Sequence, residues 1–401
     1  MIAPARRVAY EVLRRVFEED AYADRALRGA SEGLDDRDRA LARQLVFGSV
    51  QRVRTLDHAI ETLGKRPVRK LDPPVRAALR LGAYQLGFLD GVPRYAAVNE
   101  SVELVRRARL ERAVAFSNAV LRRIADGIDD LLAALPEGPL KYSYPDWIWD
   151  VWRRDLGEEE ALALMRAQNE PPTVVVRHVR GQSPDGSETD IPGAWEVDRV
   201  DERALGEGRL WPQSRGSQLA GLCVGAREGE RTLDLCAAPG GKATMLAGEV
   251  VAVEVNPARA RELEQNARRL GASNVTVVQA DGRALPPELT GFDRALVDAP
   301  CSGLGVLAAR PDLRWRSQPL PDLQLELLLA AAARVRPGGT VVYSVCTVNV
   351  DESEAVVDAS GLRVEPIAEW PQFRHPRRPQ FLQTYPHLHR TSGFFVARLR
   401  I

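Results

Sequence analysis

The chain has 401 residues, 45% hydrophobic and 27% charged, a composition that fits a soluble protein of two or three domains with sizeable cores. Lysine plus arginine and aspartate plus glutamate are equal at 55 each, so net charge does not advertise a polyanionic partner, although a local basic face remains open. The start Met1-Ile-Ala-Pro-Ala-Arg-Arg lacks an apolar signal core, and the apolar stretches fall short of the ~18 residues of a membrane span. Cys223, Cys236, Cys301 and Cys346 show no Cys-x-x-Cys spacing, so neither a metal site nor a disulfide framework or disulfide-linked partner is expected, and a reducing cytoplasm is.

Residues 1–135 read as helices. Val8, Val12, Leu13, Val16 and Phe17 share one face of a segment from Ala5 to Phe17. Leu41, Leu45 and Val46 mark a second helix, with Asp35 or Asp36 as its cap, and Leu56, Ile60 and Leu63 mark a third. Val75, Leu79, Leu81 and Leu86 belong to a fourth, opened by Asp72-Pro-Pro. Val98, Val102, Leu104 and Val105 form a fifth, and Phe116, Val120, Leu121 and Ile124 a sixth. Short connections make this an all-α bundle.

Pro136-Glu-Gly-Pro139 predicts a boundary, and 136–213 reads as a small α/β insert. It holds a helix through Trp152, a helix from Glu158 to Gln168, and a strand over Thr173-Val-Val-Val-Arg-His-Val. Trp147, Trp149 and Trp152 are expected in a core rather than stacked on bases. A helix from Leu219 to Gly225 then opens the third region, 214–401.

There the pattern alternates: strands at 232–236, 250–255, 275–279, 292–297 and 340–345, with helices at 242–248, 257–270 and 322–335 between them. This predicts a Rossmann-like, mostly parallel, doubly wound sheet. Ligands of such sheets sit at the carboxyl ends of the strands, where Glu254, Asp281, Asp298, Cys301 and Cys346 all fall.

Thr232-Leu-Asp-Leu-Cys-Ala-Ala-Pro-Gly-Gly-Lys242 predicts a buried strand, a tight turn and a helix start. Gly240 and Gly241 permit close backbone approach, and a helix N-terminus would offer free N–H groups to a nucleotide or nucleoside. A P-loop is excluded because Cys236 stands at its first glycine and Ala243 at its Ser/Thr. Taken alone, the stretch also fits a plain structural turn. Lys242 argues otherwise: it is one of four lysines in an arginine-rich chain, and a point charge there suits a cofactor carboxylate. Glu254 suits ribose hydroxyls, and Asp281-Gly282 suits either an adenine amino group or a simple turn. A nucleoside whose carboxylate tail is met by Lys242 would be S-adenosylmethionine.

On the acceptor side, Asp298-Ala-Pro-Cys-Ser-Gly303 lacks the aromatic that amino-group methyltransferases carry there, and adds a thiol. A thiol fits an acceptor that is not nucleophilic until activated, such as pyrimidine carbon 5. Addition of a thiolate at C6 makes C5 enamine-like, Asp298 can serve N3 as the ring takes electrons, and a base must then remove the C5 proton.

These motifs carry a resemblance. Asp234-Leu-Cys-Ala-Ala-Pro-Gly-Gly-Lys242, Asp298-Ala-Pro-Cys-Ser-Gly303 and Tyr343-Ser-Val-Cys-Thr347 resemble the signatures of RNA cytosine-C5 methyltransferases of the NOL1/NOP2/Sun type, as does the closing Gly393-Phe-Phe-Val-Ala-Arg-Leu. Ala5-Arg-Arg-Val-Ala-Tyr-Glu-Val-Leu and Val92-Pro-Arg-Tyr-Ala-Ala-Val-Asn-Glu-Ser-Val-Glu-Leu resemble a NusB-like RNA-binding helical domain. The resemblance departs in two places: Val345-Cys346-Thr347 stands where the family often has Thr-Cys-Ser, and Ser392 where it often has Asp.

The resemblance implies that Cys236, Ala237, Ala238, Pro239, Gly240, Gly241, Lys242, Glu254, Asp281 and Asp298 contact or border S-adenosylmethionine. It implies that Cys346 is the nucleophile and that Cys301 assists release of the product. The substrate it implies is small-subunit (16S) ribosomal RNA, and the alternatives are transfer RNA or a non-catalytic RNA-binding scaffold. Arg310, Arg314, Trp315 and Arg316 are expected RNA contacts, and Arg374-His-Pro-Arg-Arg378 is a weaker candidate run.

Overall fold

A computed structural model describes residues 2–401. They form two compact units, one running up to Asn169 together with Leu307–Arg316, the other comprising Glu170–Val306 and Ser317–Ile401.

The first unit is helical. Its main helices are Pro4–Glu18, Ala23–Ala30, Asp36–Gln51, Val53–Gly64, Pro73–Phe88, Arg94–Arg107 and Glu111–Ala134. Pro4 and Pro73 occupy first-turn positions, where the missing N–H costs nothing. The Asp35 carboxylate accepts from Asp38 N at 2.8 Å and caps the third helix. The apolar faces read from periodicity meet in one core, with Leu13, Leu45, Leu56, Leu79 and Leu121 wholly buried.

The expected break at 135/136 is not where the chain divides. Helices Pro139–Tyr142, Asp146–Leu156 and Glu158–Ala167 belong to the helical unit. The reason lies in the contacts made by 140–146. Thr55 Oγ1 donates to Leu140 O at 2.7 Å, Arg54 N donates to Ser143 Oγ at 3.0 Å, and Arg54 Nη1 reaches Asp146 at 2.7 Å. Of the three tryptophans expected in a core, Trp152 is fully buried, against Tyr144 at 5.3 Å, while Trp147 and Trp149 are half-buried.

The segment 307–316 corrects a further expectation. Arg314 is fully buried, and its guanidinium donates to the carbonyls of Gln51, Tyr142, Ser143 and Gln168 at 2.9–3.4 Å while lying 3.9 Å from the Tyr144 ring centre. Trp315 Nε1 donates to Val50 O at 2.7 Å. Arg316 pairs with Asp20 at 2.9 Å and Arg310 approaches Asp24 at 3.9 Å, both over Tyr22. Arg314 and Trp315 are thus internal ties of the helical unit, and no RNA phosphate or base reaches the Arg314 guanidinium in this arrangement.

The second unit holds two sheets. β1 (Val175–His178), β2 (Ser187–Glu188), β3 (Ala194–Glu196) and β4 (Leu210–Pro212) form a small antiparallel sheet in the order β2-β3-β1-β4. The large sheet comprises β5 (Arg231–Leu235), β6 (Glu249–Glu254), β7 (Val275–Gln279), β8 (Phe292–Asp298), β9 (Val335–Val345), β10 (Arg363–Glu365), β11 (Leu382–Gln383) and β12 (Phe395–Arg400). Its order is β10-β12-β9-β8-β5-β6-β7, with β11 on β12. The pairs β5–β6, β6–β7, β5–β8 and β8–β9 are parallel, and those of β12 are antiparallel. The doubly wound, mostly parallel sheet therefore stands as expected. Alternate residues feed two cores: Ala295, Val297, Val341 and Tyr343 face one, and Leu296, Val342 and Val396 the other.

Two element boundaries differ. The expected helix 242–248 is a single 3-10 turn, Ala243–Met245. Only 243–248 separate Lys242 from β6, and Gly248 at φ 72° already turns the chain into that strand. The helix expected at 322–335 ends at Ala332, and β9 begins at Val335 rather than 340. Pro337-Gly-Gly339 is carried within the strand, where its pairing with β8 shifts register between Phe292 and Arg294.

Arg314→Ala should lower the stability of the helical unit by about 2–4 kcal/mol, read as a lower urea midpoint, because four carbonyls lose one charged donor. An unchanged midpoint with weakened RNA binding would restore Arg314 as a direct RNA contact.

Candidate active site

In the large sheet the strand order reverses between β5 and β8. β6 and β7 extend to one side of β5, and β8 and β9 to the other. A crevice opens at the carboxyl ends of such a pair. Leu235 lies beside Val297, and Asp298 beside Ser344, so the loops after β5, β8 and β9 emerge together.

The loop after β5 is tightly held. Cys236 takes φ 72°, a left-handed conformation uncommon for a residue with a side chain, and Ala237 N donates to Val253 O at 2.9 Å. Gly240 has φ 104°, and a Cβ there would meet Leu263 Cδ1 at 2.6 Å. Arg259 Nη2 donates to Ala238 O at 2.8 Å and Asn266 Nδ2 to Pro239 O at 2.9 Å. Arg177, on β1, donates to Thr244 O and Oγ1, so the small sheet braces the far end of the loop. The helix-dipole cradle expected here is absent, since one 3-10 turn cannot supply it. The site depends instead on side-chain charge and on the fixed loop backbone.

Lys242 supplies that charge. Its Nζ donates to Asp298 Oδ2 at 2.6 Å and lies 5.1 Å from the Phe394 ring centre. Asp298 Oδ1 accepts from Ser344 Oγ at 2.7 Å. Close by, Asp234 is 1% exposed, and neither of its carboxylate oxygens has a hydrogen-bond partner. Burial, reinforced by the Asp298 charge, pushes the Asp234 carboxyl up to about 8 despite Lys242. Burial, with the charges of Asp234, Asp298 and Glu254, pushes the Cys236 thiol up to about 12, so this cysteine stays protonated.

The acceptor side brings Cys301 and Cys346 together, with their sulfurs 3.4 Å apart. The hydrogen bond with Cys346 and burial hold the Cys301 thiol well above the ordinary range. Gly305 N donates to Cys346 O at 3.0 Å, and Gly393 N donates to Gly305 O at 2.8 Å. A Cβ on Gly305 would stand 2.0 Å from Gly393 O, which explains why the loop after Cys301 and the Gly393-Phe-Phe run pack backbone to backbone.

The other expected residues are placed as follows. Glu254 is buried at the end of β6, accepting from Asn256 N at 2.9 Å with Arg259 at 3.6 Å. Asp281 lies just beyond β7, and the Arg283 backbone and side chain both donate to it, which lowers its pKa. The run 374–378 serves structure: His375 is buried against Glu354 at 2.8 Å, and Arg378 grips Asp358 at 2.7 and 2.8 Å. Sequence reading missed Glu352, a wholly buried acid that accepts from the backbone N of Ser302, the neighbour of Cys301. Its only signal was the acid-rich run Asp351-Glu-Ser-Glu354, which reads as a solvated face.

The donor set fits S-adenosylmethionine. Asp234 is a buried carboxyl group whose oxygens have no hydrogen-bond partner, leaving acceptors for the donors of a cofactor ammonium. Lys242 is a cation for a carboxylate, and Glu254 is an acceptor for ribose hydroxyls.

The 16S rRNA methyltransferase RsmB/F family matches residues 222–400, and the NusB family matches 3–126. Ribosomal RNA small subunit methyltransferase B of Thermus thermophilus is 38% identical over 93% of this chain and 88% of its own. The Escherichia coli protein of the same name is 30% identical over 98% of both. Among solved structures, PH0851 aligns over 100% of this chain and 99% of its own, with TM-score 0.83 and 22% identity. NSun6 from Pyrococcus horikoshii, solved with SFG, covers 65% of this chain and 98% of its own, with TM-score 0.56 and 24% identity. At those identities the two structures speak for the fold.

Asp234 makes a pH prediction. Its folded pKa of about 8 exceeds its ordinary 3.8, so between these values the folded chain binds more protons than the unfolded one. Stability of the ligand-free protein should therefore fall as pH rises through that window, and Asp234→Asn should flatten the fall. Parallel melting curves for the two proteins from pH 4 to 8 would show an unburdened Asp234.

Proposed function

The chain belongs to the RsmB/F family of 16S rRNA methyltransferases, and from that premise we propose that it methylates carbon 5 of a cytosine in small-subunit ribosomal RNA through a covalent bond from Cys346 to C6. The observation that carries this reading is the pair of thiols 3.4 Å apart in the loops directly after β8 and β9, the strands that end with Asp298 and carry its register partner Ser344. Direct transfer to an amino group needs no thiol, whereas activation of C5 needs one to add and an acid-base group to finish.

The family relation supports use of S-adenosylmethionine, which when bound supplies a methyl group on a sulfonium. The chain's own residues do the rest. The loop 236–242, Lys242, Asp234 and Glu254 hold and orient the nucleoside. The Cys346 sulfur bonds to C6, and the electrons of the C5–C6 double bond become available at C5. Asp298, held by Lys242 and Ser344, would serve N3 as the ring takes electrons. After transfer, a water acting as base takes the C5 proton, the C–H electrons re-form the C5–C6 double bond, and the electron pair of the C6–S bond leaves with the Cys346 sulfur. The high Cys301 pKa suits this last stage, because a protonated thiol in hydrogen-bond contact with the Cys346 sulfur can return a proton to it as it leaves. The target base must leave its stack to reach a thiol at a strand end.

For RNA binding, the helical unit offers a groove of about 600 Å³ lined by Arg66, Lys70, Arg109, Arg112 and Phe116, with Asp72 and Glu111 also present. Cations beside an aromatic ring suit phosphates and an unstacked base. Sequence reading missed this groove because 66–75 and 109–116 meet only in the folded bundle.

The direct test uses small-subunit RNA carrying 5-fluorocytosine, whose C5 fluorine cannot leave as a proton. With S-adenosylmethionine, a covalent adduct should survive a denaturing gel for wild type and Cys301→Ala but not for Cys346→Ala. Dependence on Cys301 would exchange the two roles. An adduct on transfer RNA alone would overturn the substrate, and no adduct on either RNA would overturn the covalent mechanism.

A further inference from the structure

We propose that Glu352 is a positioning residue that ties the two cysteine loops together and sets the spacing of their thiols. This rests on the two-thiol reading above and deepens it. Glu352 ends the 3-10 turn Val350–Glu352 and is wholly buried. Its Oε1 accepts from Ser302 N at 2.9 Å, Leu320 N at 3.1 Å and Gln324 Nε2 at 2.9 Å. Its Oε2 accepts from Ser302 Oγ, and from Thr347 Oγ1 and Asn349 Nδ2 at 3.3 Å each. Ser302 follows Cys301 and Thr347 follows Cys346, and their hydroxyls also meet at 3.0 Å. One carboxylate therefore grips the residue after each thiol.

The chemistry explains why an acid is suited to this place. Six donors converge on it, two of them backbone N–H groups that cannot reorient. A carboxylate accepts on both oxygens. An amide in its place would turn one acceptor into a donor and face N–H or O–H groups with N–H, leaving buried donors unpaired. Tyr343, on the strand that leads to Cys346, donates its hydroxyl to Glu352 O at 2.6 Å, and Gln324 also donates to Pro300 O, next to Cys301. Removing the carboxylate would release both loops at the residue beside the sulfur, while the Lys242–Asp298 side would keep its own bonds.

The test combines a geometric readout with a kinetic one, on the full chain. Dibromobimane joins neighbouring thiols by displacement of two bromides, and peptide mapping identifies a Cys301–Cys346 bridge. Glu352→Gln should bridge several-fold more slowly than wild type. Its kcat on RNA should fall on the order of 10²-fold, as for a reacting group displaced by about 1 Å. Its KM for S-adenosylmethionine should not change. Ser302→Ala, a milder cut of the same tie, should move bridging and kcat in the same direction and decides the matter if Glu352→Gln does not fold. Wild-type bridging in whichever variant folds would overturn the proposal. Cys346→Ala, run alongside, separates the two ideas: full activity there would defeat the covalent reading, whereas slowed bridging in Glu352→Gln would still establish the tie.

Discussion

Parallel pairing of β8 with β5 on one side and β9 on the other is the constraint from which the site follows. The ladder fixes Leu235 beside Val297 and Asp298 beside Ser344, so three loops must leave the sheet at one place. The loop after β5 carries Lys242, and the loops after β8 and β9 carry the thiols of Cys301 and Cys346. The Lys242–Asp298 ion pair joins the two halves across the crevice at 2.6 Å. Lys242 is largely buried and Asp298 only partly, so desolvation offsets much of the attraction and the pair adds little net stability. Its value lies in fixing where a carboxylate stands relative to a thiol loop. The enzyme is an rRNA methyltransferase by family, and this pairing is where its fold and its chemistry meet.

The site also stores electrostatic tension. Asp234 is an acid without a hydrogen-bond donor, deep in the sheet and close to a second acid. Such a group opposes folding when charged, and favours a cationic ligand for the same reason. Cys236 holds a left-handed backbone in the adjoining loop. Strained or unsatisfied groups gathered at one strand end are what a binding site requires, since a fully satisfied one would have nothing left to offer a ligand.

Much of this was legible in the sequence because it depends on short-range pattern. The apolar runs before Cys236, Glu254 and Asp298 specify strands, and acids or thiols directly after such runs fall at strand ends whatever the rest of the chain does. The helical faces were equally readable, since Val8, Leu13, Leu56 and Leu79 follow the helix period. What depends on long-range contact was not. Arg314 and Trp315 looked like a basic-aromatic surface, yet they find their partners in carbonyls more than 140 residues away. The turn after Lys242 looked like a helix start because local composition cannot show that β6 begins so soon. Glu352 was hidden in an acidic run, and only the fold reveals that its carboxylate faces inward.

The most direct measurement of the central claim follows the hydrogen on carbon 5. Small-subunit RNA would carry tritium at carbon 5 of its cytosines, and tritium released to water would be counted against methyl groups transferred. The covalent account predicts one tritium released for each methyl gained by wild type, and neither with Cys346→Ala. Methyl transfer that leaves the tritium on the RNA would contradict it, placing the new group on another atom and removing the role given to the paired thiols.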